Sequence, residues 1–413
     1  MDLSRRNFLI GSVATGVATM APGVFAQGSS TIKVGLIGCG GRGTDATINC
    51  FNAAPGIQLW AMGDAFEDRL NGSAGTLQGT LKDAFKVTAD RKFSGLDAYK
   101  KVLASGCDLV ILATPPGFRP LHYRAAIEAN KHVFMEKPVA TDAAGIRSVL
   151  ETGAMADAKK LSVVSGTQRR HDPAYLEIMK RIHDGAIGDV VALYAYWNQG
   201  GLWQATREAK WTDLEFQMRN WLYFTYLSGD HIVEQHIHNL DVANWAMKTH
   251  PVKAVGLGGR QVRTDAAYGH IFDHFGIEFE YENGVRLTSM ARQQDGTAAR
   301  VAEHIVGTKG SSNAGGVIRG EKAYRYDGAR PNPYVEEHKF LIEAIRAGKQ
   351  VNETQEVAHS TLTAIMGRMA AYTGQEVTWD QALNSTEVLM PATLAFGPMP
   401  VGPVAMPGKT ELK

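Results

Sequence analysis

Lys137 closes the segment Met135-Glu136-Lys137-Pro138, and further along stand Glu234, His238 and Asp241, spaced four and then three residues apart. A lysine at the end of a parallel-sheet strand points its ammonium into the crevice where such sheets bind ligands. An acid and an imidazole one helical turn apart can orient a hydroxyl and move its proton. If the chain is helical from Glu234 onward, Glu234, His238 and Asp241 share one face. Val233, Ile237, Leu240 and Met247 then form a neighbouring apolar stripe that buries the helix. Alone, Lys137 reads as a surface lysine, and Glu234 as a favourable charge at a helix N-terminus. His231, Glu234, His236 and His238 are all metal-ligand types, but their spacing matches no zinc signature, so no metal is expected.

A second set of residues comes earlier. Ile32 to Ile37 reads as a buried strand and runs into Gly38-Cys39-Gly40-Gly41-Arg42-Gly43, after which a helix is expected. Strand, G-x-G-x-x-G and helix make up the dinucleotide-binding fingerprint. Gly38 permits the tight turn, Gly40 lets the backbone approach a pyrophosphate, and Gly43 lets helix and strand pack closely. Gly41 and Arg42 lie on the same loop, at the helix N-terminus that would hold the phosphates. The next strand, Ile57 to Gly63, ends in Asp64, near the spacing expected of a carboxylate that grips ribose hydroxyls. A carboxylate there repels a 2′-phosphate, so NAD is expected in preference to NADP. The strand Cys107 to Ala113 stops sharply at Thr114-Pro115-Pro116, where its end would meet the cofactor.

These residues need a scaffold of two kinds. Residues 31–160 alternate strands with helices, including a polar helix-like stretch from Thr76 to Lys92, and this implies a doubly wound parallel sheet. Residues 161–390 change character. A strand, Leu161 to Thr167, and a helix, Pro173 to His183, lead into period-2 strands that imply a second, α+β domain with a large, mostly antiparallel open sheet. The strands expected are Val190 to Trp197, Lys253 to Gln261, Phe275 to Tyr281, Val285 to Arg292 and Ala302 to Gly307. Helices from Tyr334 to Ala347 and Gln355 to Thr373 return across a domain face. Residues 391–413, rich in Pro, Gly and Met, read as an extended arm.

Residues 1–26 stand apart from the fold. Ser4-Arg5-Arg6-Asn7-Phe8-Leu9 is a twin-arginine signature, an apolar run reaches Pro22, and Val24-Phe25-Ala26 offers a cleavage site. The run is too short and glycine-rich for a membrane span. The mature chain is therefore expected to work outside the cytoplasm, in the periplasm or an equivalent exported location. Twin-arginine systems carry folded proteins, so a cofactor can be loaded before export and must then be held tightly. The 413 residues suit two domains, and a net charge of +1 points to no nucleic acid or anionic membrane. Three cysteines, all in the first half, make no disulfide framework.

With the glycine loop, the Glu136-Lys137-Pro138 segment and the Glu234 constellation in view, the chain resembles the Gfo/Idh/MocA family of oxidoreductases. The resemblance runs from Thr31 to about Ala382. It implies a Rossmann domain followed by an open-sheet domain that often makes homo-oligomers. It implies cofactor contacts at the glycine loop, at Thr114 and Pro115, and at Glu136 and Lys137. Lys137 and His238 become the proton-handling pair, with hydride passing between nicotinamide C4 and a sugar or cyclitol carbon. Glu234, in the same catalytic group, and Asp241 would position the other hydroxyls. The chain departs from the family where most relatives have aspartate in place of Glu234 and glycine in place of His236. The extra imidazole of His236 could read substrate, so family substrates do not transfer directly.

The segment from Trp197 to Trp221 holds four of the seven tryptophans, with Tyr223, Phe224 and Tyr226 following. Aromatic faces stack on sugar rings, and they serve equally as core or interface. Arg169 and His171 read as polar wall residues or as a helix-start cluster. The leading expectation is an NAD-dependent oxidoreductase of carbohydrates. Glycoside cleavage by transient oxidation, elimination, hydration and re-reduction is the alternative, and a non-catalytic sugar sensor is a third reading that intact Lys137 and His238 oppose.

Overall fold

In a computed structural model, residues 31–413 are described, so the expected export segment lies outside the described residues. Six parallel strands form the first sheet: β1 (Ile32–Ile37), β2 (Ile57–Asp64), β3 (Lys92–Ser94), β4 (Leu109–Leu112), β5 (His132–Met135) and β6 (Val163–Ser165). Their order is β3-β2-β1-β4-β5-β6, the doubly wound arrangement. Helices α1 (Gly41–Ala53), α2 (Glu67–Leu81), α3 (Ala98–Ala104), α4 (Arg119–Glu128) and α5 (Ala143–Ala158) connect them. The strand order reverses between β1 and β4, and the loops that follow these strands meet there. A Cβ on Gly38 would lie 2.7 Å from both the carbonyl carbon of Ala113 and the amide nitrogen of Thr114.

Two expectations about this half need correction. The first helix after β2 covers Glu67–Leu81, not Thr76 to Lys92. Gly72, Gly75 and Gly79 disguise it, yet all three face open space and need no side chain for packing. The parallel sheet also extends past residue 160, because β6 pairs with β5 at Val133–Val163 and Met135–Ser165.

The second sheet has nine strands. After α6 (Pro173–His183) come β7 (Val190–Gln199), then α7 (Asp213–Arg219), α8 (Thr225–Ser228), α9 (His231–Glu234) and α10 (Ile237–Met247). Strands β8 (Lys253–Gly259), β9 (His274–Glu280), β10 (Arg286–Gln293), β11 (Arg300–Gly307), β12 (Gly310–Ser312), β13 (Val317–Gly320) and β14 (Tyr324–Arg325) follow. Then come α11 (Pro333–Arg346), α12 (Thr354–Thr373), β15 (Val377–Thr378) and α13 (Trp379–Asn384). The order is β14-β13-β12-β11-β7-β10-β9-β8-β15, antiparallel throughout except where β7 and β10 run parallel.

The late helices tie the halves together. Leu341, Ile342 and Ile345 of α11 sit in the same apolar cluster as Val34, Leu36 and Ile111 of the parallel sheet. Leu362, Ile365 and Met369 of α12 share a cluster with residues from both sheets. Residues 32–413 thus pack as one unit. No helix among the described residues is long and apolar enough to cross a membrane.

Candidate active site

The glycine turn has the geometry its residue types require. Gly38 takes a φ of +97°, in the region glycine alone enters without strain. A Cβ on Gly43 would lie 1.9 Å from the Gly38 oxygen, whereas Cβ atoms on Gly40 and Gly41 would meet nothing within 4 Å. Close packing is therefore needed behind the turn, and open space lies before it. Gly40 caps α1, and no side chain makes a capping hydrogen bond at the helix start. Beside it, Asp64 Oδ2 accepts the Cys39 N–H at 2.6 Å and Oδ1 accepts the Phe66 N–H at 2.9 Å. Each oxygen keeps a second acceptor site for a ligand. Burial holds this carboxyl above its ordinary range, although the two N–H donors work against the shift.

Gly38, Gly40, Gly41, Arg42, Asp64, Thr114 and Pro115 all line one cavity of about 590 Å³. The volume lies in the range of small-molecule sites. An NAD molecule fits the residues present: open glycines at a helix N-terminus for the pyrophosphate, and a partly satisfied carboxylate for the ribose. Cys39 fills the loop as a buried thiol, pushed well up first by burial and then by Asp64.

A smaller cavity of about 260 Å³ adjoins this one and shares Arg42, Thr114 and Trp221 with it. Glu136, Lys137, Glu234 and His238 line it. Lys137, Glu234 and His238 therefore converge. Lys137 Nζ donates to the Glu234 main-chain oxygen at 2.5 Å and to Glu234 Oε1 at 3.1 Å. Both side chains are largely buried, at 13% and 14% exposure. His238 stacks on Trp197, with ring centroids 5.8 Å apart. Its imidazole is held well below its ordinary range, chiefly by burial and then by the charges of Lys137, Arg169 and Arg42, so it is neutral at neutral pH. Glu136 is fixed by Arg42, whose Nε donates at 2.6 Å. A Cβ on Gly166 would lie 2.5 Å from Glu136 Oε2, so a glycine after β6 makes the room.

The helix beneath this cluster is not continuous. α9 ends at Glu234, and α10 starts at Ile237 after a turn at Gln235 and His236. His238 N–H bonds to the Gln235 oxygen at 3.3 Å, and the Glu234 oxygen is thereby free to accept from Lys137. Tertiary contacts hold the break open. His236 Nε2 meets Ser289 Oγ at 2.7 Å, and Gln235 Oε1 accepts from Gln199 and Gln293.

Three residues expected to meet substrate do not line either cavity. Asp241 is 2% exposed and takes a bidentate contact from Arg170, with bonds of 2.8–3.0 Å, plus the Ser360 hydroxyl at 2.8 Å. The break turns it away from Glu234 toward this ion pair. His236 is fully buried against β10. Arg169 pairs with Glu303 of β11, which also accepts from Tyr175 and Asn239. His231, Glu234, His236 and His238 do not gather into a group able to hold a metal ion. Sequence reasoning missed Tyr334, which lines the smaller cavity with Arg42 4.7 Å from its ring centroid. No local motif marks it.

A model of the oxidoreductase family with an NAD-binding Rossmann fold matches residues 32–165, and one of the GFO/IDH/MocA C-terminal domain matches residues 175–313. The chain belongs to the Gfo/Idh/MocA oxidoreductase family. Over 283 residues it is 26% identical to inositol 2-dehydrogenase 2 of Saccharopolyspora erythraea, spanning 68% of this chain and 72% of that relative. It is 31% identical over 157 residues to inositol 2-dehydrogenase 4 of the same organism, spanning 38% of this chain and 42% of that one. The fold matches that of scyllo-inositol dehydrogenase from Lactobacillus casei, solved with bound NAD(H) and scyllo-inositol. There the TM-score is 0.64 at 19% identity, covering 85% of this chain and 100% of the other. In this Gfo/Idh/MocA protein Glu136 and Lys137 line the smaller cavity and not the larger one.

Proposed function

We propose that this protein is an NAD-dependent oxidoreductase acting at a hydroxyl-bearing carbon of a sugar or cyclitol. The observation that carries the reading is the bonded Lys137–Glu234 pair, with neutral His238 in the same small cavity, against the end of the dinucleotide cradle. The inositol dehydrogenases among the relatives point to the same substrate class. NAD, when bound, accepts or returns a hydride at nicotinamide C4. Lys137 takes the hydroxyl proton, and Glu234 holds the ammonium through two oxygens. The neutral imidazole of His238 accepts a hydrogen bond from, or relays the proton of, the same hydroxyl. Trp221 and Tyr334 give the cavity aromatic surface suited to ring C–H faces.

The test is direct. The full chain, supplied with NAD and a panel of inositols and aldoses, should generate reduced-nicotinamide absorbance with at least one of them. Absence of reduction and of substrate turnover across the panel would contradict the reading.

Export and self-association belong to the same proposal. Arg5 and Arg6, ahead of the apolar run, support twin-arginine export, and their replacement by lysine should retain precursor in the cytoplasm. Association through the open sheet is supported by a row of paired outward residues, Leu257, Gly276, Met290, Tyr196 and Ala302. Leu257 is 70% exposed.

A further inference from the structure

Part of the wall of the larger cavity comes from the second domain. Trp203, Gln204, Ala205, Met218 and Arg219 share the cavity with Asp64 and with the residues that follow it. Nothing in the dinucleotide fingerprint calls for them. Arg219, at the end of α7, donates to both carboxylate oxygens of Asp68 at 2.8 and 2.9 Å and to Glu215 at 3.0 Å. Its guanidinium lies 4.0 Å from the Phe66 ring centroid and 4.8 Å from that of Trp211. Phe66 and Asp68 follow directly on the ribose-side acid, so this latch joins the second domain to the turn that carries Asp64.

The latch is itself pinned. The Ala205 N–H bonds to Asn220 Oδ1 at 2.9 Å, and the Tyr223 hydroxyl donates to the Trp203 oxygen at 2.9 Å. The C-terminal arm also holds α7. The Leu214 N–H reaches the Gly397 oxygen at 3.2 Å, Gln217 donates to the Met399 oxygen at 2.6 Å, and Phe396 packs 5.9 Å from Phe66.

We infer that residues 200–224, latched by Arg219 to Asp68 and backed by the 391–399 arm, form a clasp over the adenosine half of the NAD site that makes the cofactor resident. The inference rests on the reading of Asp64 as the ribose carboxylate. Indole and thioether walls from Trp203 and Met218 suit a purine, and opening the site requires breaking the bidentate Arg219–Asp68 pair and the cation–π contact of Arg219 on Phe66 together.

The experiment loads the full-length chain with NAD and follows its exchange against isotopically labelled NAD. The native protein should exchange over hours. Arg219→Ala and Asp68→Ala should each speed release by at least about tenfold, and the double variant should be no faster than either alone. Asp68 is 62% exposed at its side chain, so its variant tests the latch even if Arg219→Ala does not fold. Exchange by the native chain within seconds, or native-like exchange by Asp68→Ala, overturns the clasp and leaves the oxidoreductase reading intact. Failure of the native chain to bind NAD at saturation overturns both, and so differs from failure of the clasp alone.

Discussion

Lys137 and Glu234 are joined twice, through the main-chain oxygen at 2.5 Å and through the carboxylate at 3.1 Å. In an unbroken helix that main-chain oxygen would accept from His238 N–H. The turn at Gln235 and His236 releases it, so the interrupted helix supplies a fixed acceptor for the lysine. Lys137→Met should lower turnover by ~10²–10⁴ with NAD still bound, as expected for a lost general base. Glu234→Gln retains the carbonyl and loses only the charge, so its loss of turnover should be smaller, about tenfold. Steady-state kinetics at matched cofactor occupancy check both. Equal losses would contradict the double attachment.

Asp241 supports the site without facing it. Its carboxylate is buried against Arg170 and Ser360. Asp241→Asn leaves a buried guanidinium poorly compensated and should cost about 3 kcal/mol of stability. The folded enzyme should keep its KM. Chemical denaturation and substrate titration separate the two effects, and a large KM change at native stability would restore Asp241 as a substrate ligand.

Acid should weaken the fold early. Burial pushes His122, His236 and His338 down to about 3, and His132 and His270 to about 4. In the unfolded chain these imidazoles titrate near ~6.5. Below that pH the unfolded state binds protons that the folded state refuses, so stability falls as pH falls toward 4. Each imidazole contributes up to about 1.4 kcal/mol per pH unit. Asp230, raised by burial to about 6, acts in the opposite sense: its folded form takes a proton between about pH 6 and 4. Burial also raises Asp64, Glu303 and Glu337, but the imidazoles that burial lowers, His231 and His238 among them, outnumber these carboxyls. The melting temperature should drop clearly from pH 7 to pH 5, and a flat profile would contradict this.

Asp64 should set cofactor choice. Asp64→Ser removes the charge that repels a 2′-phosphate, and NADP affinity should approach that for NAD. Binding titrations with both dinucleotides test this, and equal affinities in the unsubstituted protein would remove Asp64 from the role.

The parts of the site under local steric demand were legible in the sequence. A turn that needs φ of +97° at Gly38 and no Cβ at Gly43 leaves glycines in fixed places, and the alternating strands around it carry the sheet order. Lys137 could be placed because a parallel strand must end where ligands bind. Legibility failed where distant residues decide. Gln235 and His236 are not helix breakers, and the interruption there depends on Ser289, Gln199 and Gln293 from the second sheet. Spacing put Asp241 on the face of Glu234, but nothing local announced Arg170 and Ser360. The Arg219–Asp68 latch joins residues 151 positions apart, beyond the reach of any pattern.

The central claim is hydride transfer at the Lys137 end of the cradle. A sugar or cyclitol that the protein turns over, deuterated at the reacting carbon, should be mixed with the NAD-loaded chain for a single turnover and the nicotinamide then examined by mass spectrometry. The account predicts deuterium on nicotinamide C4 in the native protein and its near absence in Lys137→Met. Substrate consumption without label reaching the nicotinamide would contradict it.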